Sequence, residues 1–93
     1  MIRHVVLMKL VDPADAPEAA ARLTALVGEI PSLLSLEVTL DALRADGAYD
    51  LCLITTHESA DALDAYATHP LHQDFRTWVG PRLAARAVVD SEH

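Results

Sequence analysis

Residues 2–11 read Ile2-Arg3-His4-Val5-Val6-Leu7-Met8-Lys9-Leu10-Val11. The run is β-branched and aliphatic and too short for a solitary helix, so it predicts a strand. Alternate residues of a strand share a face. One set is Ile2, His4, Val6, Met8 and Leu10; the other is Arg3, Val5, Leu7, Lys9 and Val11. Both sets are mostly apolar, and a strand that is apolar on both faces is covered on both. This strand therefore sits centrally, with helices on one side and a second body on the other.

The segments that follow supply those helices. Asp12-Pro13-Ala-Asp-Ala-Pro17 stops the strand, and its prolines and acids suit the start of a helix. From about residue 16, Ala19, Leu23, Leu26, Val27 and Ile30 fall on one helical face. Pro31 disfavours helical geometry at Ile30 and predicts an end near Glu29. Leu34, Leu36, Val38 and Leu40 then alternate with Ser35, Glu37, Thr39 and Asp41, as in a half-buried strand. Asp46-Gly47 marks a turn, and Tyr49 to Thr56 reads as a third strand. Ser59 is placed to cap a second helix. His69-Pro70 interrupts that helix and restarts it with Pro70 at the first position. Leu71, Phe75, Trp78 and Val79 continue at helical spacing until Gly80-Pro81, and Ala84 to Asp90 forms the last strand.

The order is β-α-β-β-α-β, with the last helix broken in two. It predicts an α+β ferredoxin-like fold, a four-stranded antiparallel sheet with helices on one face. Two such sheets packed face to face make a dimeric α/β barrel. The face of Ile2, His4, Val6 and Met8 is expected to line its interior.

Composition agrees with this scale. A chain of 93 residues has room for one hydrophobic core, so residues 1–93 are read as a single domain. Apolar residues make up 52% of it but aromatics only 4%, a core of small aliphatics for which a homodimer supplies further burial. The net charge of −7 disfavours nucleic acid and anionic membranes as partners. No apolar run approaches the length of a membrane span. Met1-Ile-Arg-His-Val-Val6 lacks the layout of a signal peptide, and the expected location is cytoplasmic. The one cysteine, Cys52, forms no internal disulfide and is expected to be an inert buried thiol.

Most of the reactive chemistry is gathered in Tyr66-Ala-Thr-His-Pro-Leu-His-Gln-Asp-Phe75. Each residue of this cluster also has a plain structural role open to it. Tyr66 can be core with its hydroxyl tied to a carbonyl, His69 can cap the helix begun by Pro70, and His72 can be a partly exposed helix histidine; outside the cluster, His4 can be satisfied inside the barrel. Asp90 can pair with Arg86, four residues away on the same strand, or with a group of a partner chain. A metal is not expected, since His69 and His72 lack the further ligands that a zinc site needs. With only three glycines, no phosphate-binding or dinucleotide loop is present, and no cofactor is expected.

Five pieces in order, Ile2-Arg-His-Val-Val-Leu-Met-Lys-Leu10, Glu29-Ile-Pro31, Tyr49-Asp-Leu-Cys-Leu53, Tyr66-Ala-Thr-His-Pro-Leu-His72 and Ala87-Val-Val-Asp90, resemble the stress-responsive A/B barrel (Dabb) domain over nearly the whole chain. The resemblance implies a homodimeric ferredoxin-like barrel. A few members of that family, such as the plant polyketide (olivetolic acid) cyclase, close a linear polyketide by an intramolecular aldol reaction without a cofactor. Carried over by position, the resemblance implies His72 as general base and Tyr66 as hydrogen-bond donor, with His4 and His69 in or beside the pocket. The chain departs from that cyclase at Ala19, Ala20 and Leu23, where the cyclase has aromatics. It departs again at His57, where a phenylalanine is usual, and at Arg86, where the cyclase is aliphatic. A floor without aromatics and with an added cation suits a smaller, anionic ligand.

The leading expectation is thus a homodimer that binds a small organic molecule in a mostly apolar pocket, with cofactor-independent acid–base chemistry of the cyclase type. Beside Tyr66 and His72, the lining is expected to include His4, Val6, Met8, Leu53 and His69. Phe75, Trp78, Arg86 and Val88 complete it. Two other readings stand beside this one. One is a non-enzymatic stress-response or structural dimer with a filled barrel. The other is a cofactor-free monooxygenase or isomerase, by analogy of fold.

Overall fold

A computed structural model describes all of residues 1–93. Strands β1 (Ile2–Leu10), β2 (Ser35–Leu40), β3 (Leu51–His57) and β4 (Leu83–Glu92) alternate with helices α1 (Ala16–Thr24), α2 (Ala60–Thr68) and α3 (Pro70–Val79). The strands form one sheet in the order β2-β3-β1-β4, and every pairing is antiparallel. This is the ferredoxin-like α+β arrangement, with the most apolar strand, β1, between two neighbours.

The two faces of β1 separate cleanly. Val6, Met8 and Leu10 are buried beneath the helices with Leu51 and Leu53 of β3. Leu23 of α1, Tyr66 of α2, and Phe75 and Val79 of α3 close the same core from above. The expectation that this face looks toward a partner sheet is corrected: it is covered by the chain's own helices. The other face is bare. Cross-strand pairs share a face, so the register places Leu7 between Cys52 and Ala87, and Val5 between Ile54 and Val89. Leu7 is 37% exposed and Val89 64%, and Cys52 is half-buried rather than enclosed.

α1 is shorter than its apolar periodicity. After Thr24 the backbone tightens into i→i+3 bonds, with Leu26 N–H donating to Leu23 O and Val27 N–H to Thr24 O. Gly28 then takes φ +81°, a left-handed conformation that ends helices. Leu26 and Ile30 stay buried although the helix has ended, whereas Val27, placed on the same face by the spacing, is 53% exposed beyond the last helical turn. Buried Asp50 fastens the far end of β1: its carboxylate accepts from Leu10 N–H at 2.7 Å and from Arg44 at 3.0 Å.

Candidate active site

The break between α2 and α3 builds the site. Ser59 Oγ accepts from Ala62 N–H at 3.1 Å and starts α2. Pro70 has no N–H to continue that helix. His69 leaves helical geometry with ψ 138°, and its Nδ1 accepts from Leu71 N–H at 3.1 Å, capping α3. In an unbroken helix Leu71 N–H would have gone to Ala67 O. That carbonyl is freed instead. It accepts from His72 Nδ1 at 3.0 Å and from Gln73 Nε2 at 2.8 Å.

This bond decides the tautomer of His72. With Nδ1–H donating to a carbonyl, the neutral ring carries its lone pair on Nε2. Burial lowers the pKa of His72 and outweighs the carbonyl bond that raises it; the charges of Arg76, His4 and Arg86 lower it further. Near pH 7 the ring is a neutral base. Its centroid lies 4.5 Å from that of Tyr66. Tyr66 is 1% exposed, and its hydroxyl has no protein group within hydrogen-bonding distance. Burial pushes its pKa up to about 12, so the group stays a neutral donor.

Tyr66 is held from behind by His57, at 4.9 Å between centroids. The His57 Nδ1–H donates to Ser32 O at 2.8 Å, and Nε2 accepts from the Thr55 hydroxyl at 2.8 Å. It is fully buried and satisfied, and burial lowers its pKa chiefly. His4 pairs with Asp90, which lies opposite it across β1 and β4. Asp90 therefore does not pair with Arg86: residues four apart on a strand are separated by roughly 13 Å.

His4, Tyr66 and His72, but not His57 or Asp90, line a cavity of about 490 Å³ between the sheet and the helices. Val6, Met8, Leu53 and Phe75, all buried, form its apolar floor. His4, Tyr66 and His72 are the lining residues that carry rings with polar atoms, and the exposed Asp64, Arg76 and Arg86 stand at its rim. No three His, Cys, Asp or Glu side chains gather in a way that could hold a metal ion.

The comparison with known families agrees with this architecture. The family model described as the stress responsive A/B barrel domain matches residues 2–93. The chain belongs to that family. Among curated proteins, an uncharacterized protein of Streptomyces coelicolor is 37% identical to this A/B barrel domain, covering 85% of it and 94% of the relative. A dimeric ferredoxin-like protein of unknown function from Thermobifida fusca has 28% identity and a TM-score of 0.86, over 99% of this chain and 90% of that one. A hydroxynitrile lyase from Passiflora edulis shares the fold with a TM-score of 0.79, at 17% identity over 97% of this chain and 90% of that one.

Within this A/B barrel domain, three residues expected at the pocket stand outside the lining. His69 is committed to capping α3. Trp78 is not part of the lining and packs against the guanidinium groups of Arg22 and Arg82, each 4.5 Å from its ring centre. Val88 shares the face of Val6 by register but sits on edge strand β4, 38% exposed. Asp64 and Arg76 were missed. Ala60, Leu63, Asp64 and Ala67 of α2 line the cavity at i, i+3, i+4, i+7, as do His72, Phe75, Arg76 and Val79 of α3. Projecting the helical period from His72 finds Arg76, whereas following apolar residues alone does not.

Proposed function

We propose that this A/B barrel protein is a cytoplasmic homodimer that binds a small carbonyl compound and moves a proton at carbon without a cofactor. One observation supports the reading: His72, with Nε2 free, and Tyr66, with an unpartnered hydroxyl, both line a single cavity, with their rings 4.5 Å apart. A volume of about 490 Å³ falls within the usual range for ligand sites. An orphaned buried hydroxyl is costly unless a ligand uses it. A hydroxynitrile lyase shares this fold, so enzymatic use of the scaffold has a precedent.

The chemistry follows from the two groups. Tyr66 O–H donates to the carbonyl oxygen of a bound ketone. His72 Nε2 takes a proton from the adjacent carbon, and the C–H electron pair moves into the enolate. Tyr66 then stabilises the developing oxyanion. Where the ligand carries a second carbonyl, the enolate carbon attacks it. The resulting alkoxide recovers the proton from the imidazolium, closing an aldol step in which atoms and electrons balance.

The dimer reading rests on the bare sheet face and on a solved relative that is dimeric. An apolar strip from Val5 to Val89 with polar ends is the pattern of an association surface. Catalysis is tested by hydrogen–deuterium exchange at the methyl group of acetophenone, followed by NMR. The protein should accelerate exchange, and His72→Gln should remove about a hundredfold or more, the usual contribution of a general base. Equal exchange by the variant and the parent would refute the role of His72.

A further inference from the structure

Arg76 and Arg86 stand out in the distribution of charge. The chain has twice as many acids as bases, 14 against 7, so a partner for any arginine is easy to provide. Arg22 takes Glu18, Arg44 takes Asp50 and Arg82 takes Asp15. Arg3, Arg76 and Arg86 take no carboxylate within 4 Å, and of the three only Arg76 and Arg86 line the cavity that holds Tyr66 and His72. They reach it from different directions, Arg76 from α3 and Arg86 from β4, where it lies opposite Met8 of the floor. Asp90, on the same strand face as Arg86, stands too far along the strand to neutralise it and pairs with His4. Asp64 is the one carboxylate of the lining, and it bridges to neither arginine.

Two guanidinium groups kept free at the rim of an apolar cavity, in an acidic protein, form a recognition element for an anion. The fork of a guanidinium matches a planar carboxylate with two parallel hydrogen bonds. The interior supplies the complement. Tyr66 offers a donor for a neutral oxygen, and His72 Nε2 offers a base. We infer that the ligand of this cavity is a small keto acid, its carboxylate held at the rim by Arg86 and Arg76 and its ketone turned inward to Tyr66. The inference rests on the reading of the cavity as a ligand site and adds the class of ligand. It also assigns the arginines a specificity role distinct from the acid–base pair.

The test compares 4-oxopentanoate with its neutral amide, two probes of the same shape, by NMR chemical-shift titration of the full chain at low salt. The keto acid should bind at least fivefold more tightly than the amide. Arg86→Met and Arg76→Met, at exposed positions whose amide spectra report an intact fold, should each narrow that preference, and the double variant should erase it. Added 0.5 M sodium chloride should weaken the keto acid more than the amide. Equal binding of both probes by the parent protein would overturn the anion assignment while leaving the cavity a ligand site. A preference that survives in the double variant would overturn the role of the arginines. Failure of both probes to shift any cavity resonance would overturn the inference together with the reading beneath it.

Discussion

Replacing Tyr66 by phenylalanine separates a structural tyrosine from a functional one. The ring is packed against His57 and His72 at 4.9 and 4.5 Å, and phenylalanine fills the same space. What is lost is the hydroxyl, which is buried without a protein partner. Leaving such a group unpaired costs about 1–3 kcal/mol, so its removal should stabilise the fold by on the order of 1 kcal/mol. For a domain of this size that raises Tm by about 5 °C. The assay is thermal unfolding of both proteins at one protomer concentration, since the stability of a dimer depends on it. Activity toward a ketone should fall by about a hundredfold, the scale for losing one oxyanion donor. A variant that is more stable and less active marks a group held ready for a ligand. A loss of more than about 1 kcal/mol on removing the hydroxyl would show that it supports the core, and would refute the functional assignment.

The alkaline behaviour of Tyr66 gives a second check. Its folded pKa of about 12 exceeds the ordinary 10, so its contribution is whole below pH 10 and is lost as pH rises toward 12. The loss amounts to roughly 3 kcal/mol and should vanish in Tyr66→Phe, as urea unfolding against pH would show. His57 and His72 have lowered pKa values, so they favour the fold above pH 6.5 and that support is lost as pH falls through their folded values. His57→Phe should flatten the acid limb of stability, and the acid limb of the rate should lie below pH 6.5 and follow His72. On the bare face, Leu7→Asp should convert the dimer to monomer in sedimentation and raise the reactivity of Cys52 toward a thiol reagent. A dimer that persists with Leu7→Asp would place the interface elsewhere.

The strands and helices were legible because their periods differ and their ends carry chemical signals. Ser59, Pro70 and Gly80 each stand at the boundary their side chain or backbone favours. Which face of β1 meets the helices was not legible, because both faces are apolar and only the three-dimensional register separates them. One of the pairings left open for Asp90, that with Arg86, is excluded for a related reason. A spacing of four brings side chains together on a helix but not on a strand, whereas His4 lies directly across from Asp90. The Tyr66–His72 cluster was visible as composition. Its tautomer was not, since that depends on a carbonyl set free by a proline three residues further on. Trp78 looked like pocket because it is large and apolar, but two arginines from other elements claim its faces.

The alternation along β1 has a consequence for how such a chain diverges. Even-numbered residues face the helices, with His4, Val6 and Met8 in the cavity lining, and odd-numbered ones face the bare surface, so one nine-residue segment encodes two properties on separate parity tracks. Substitutions at His4, Val6 or Met8 reshape the cavity while Val5 and Leu7 keep the apolar bare face intact. A single inserted residue would exchange the two tracks at once and ruin both. Point substitution is therefore the permissive route to a reshaped cavity here, and a change in the length of β1 is the forbidden one.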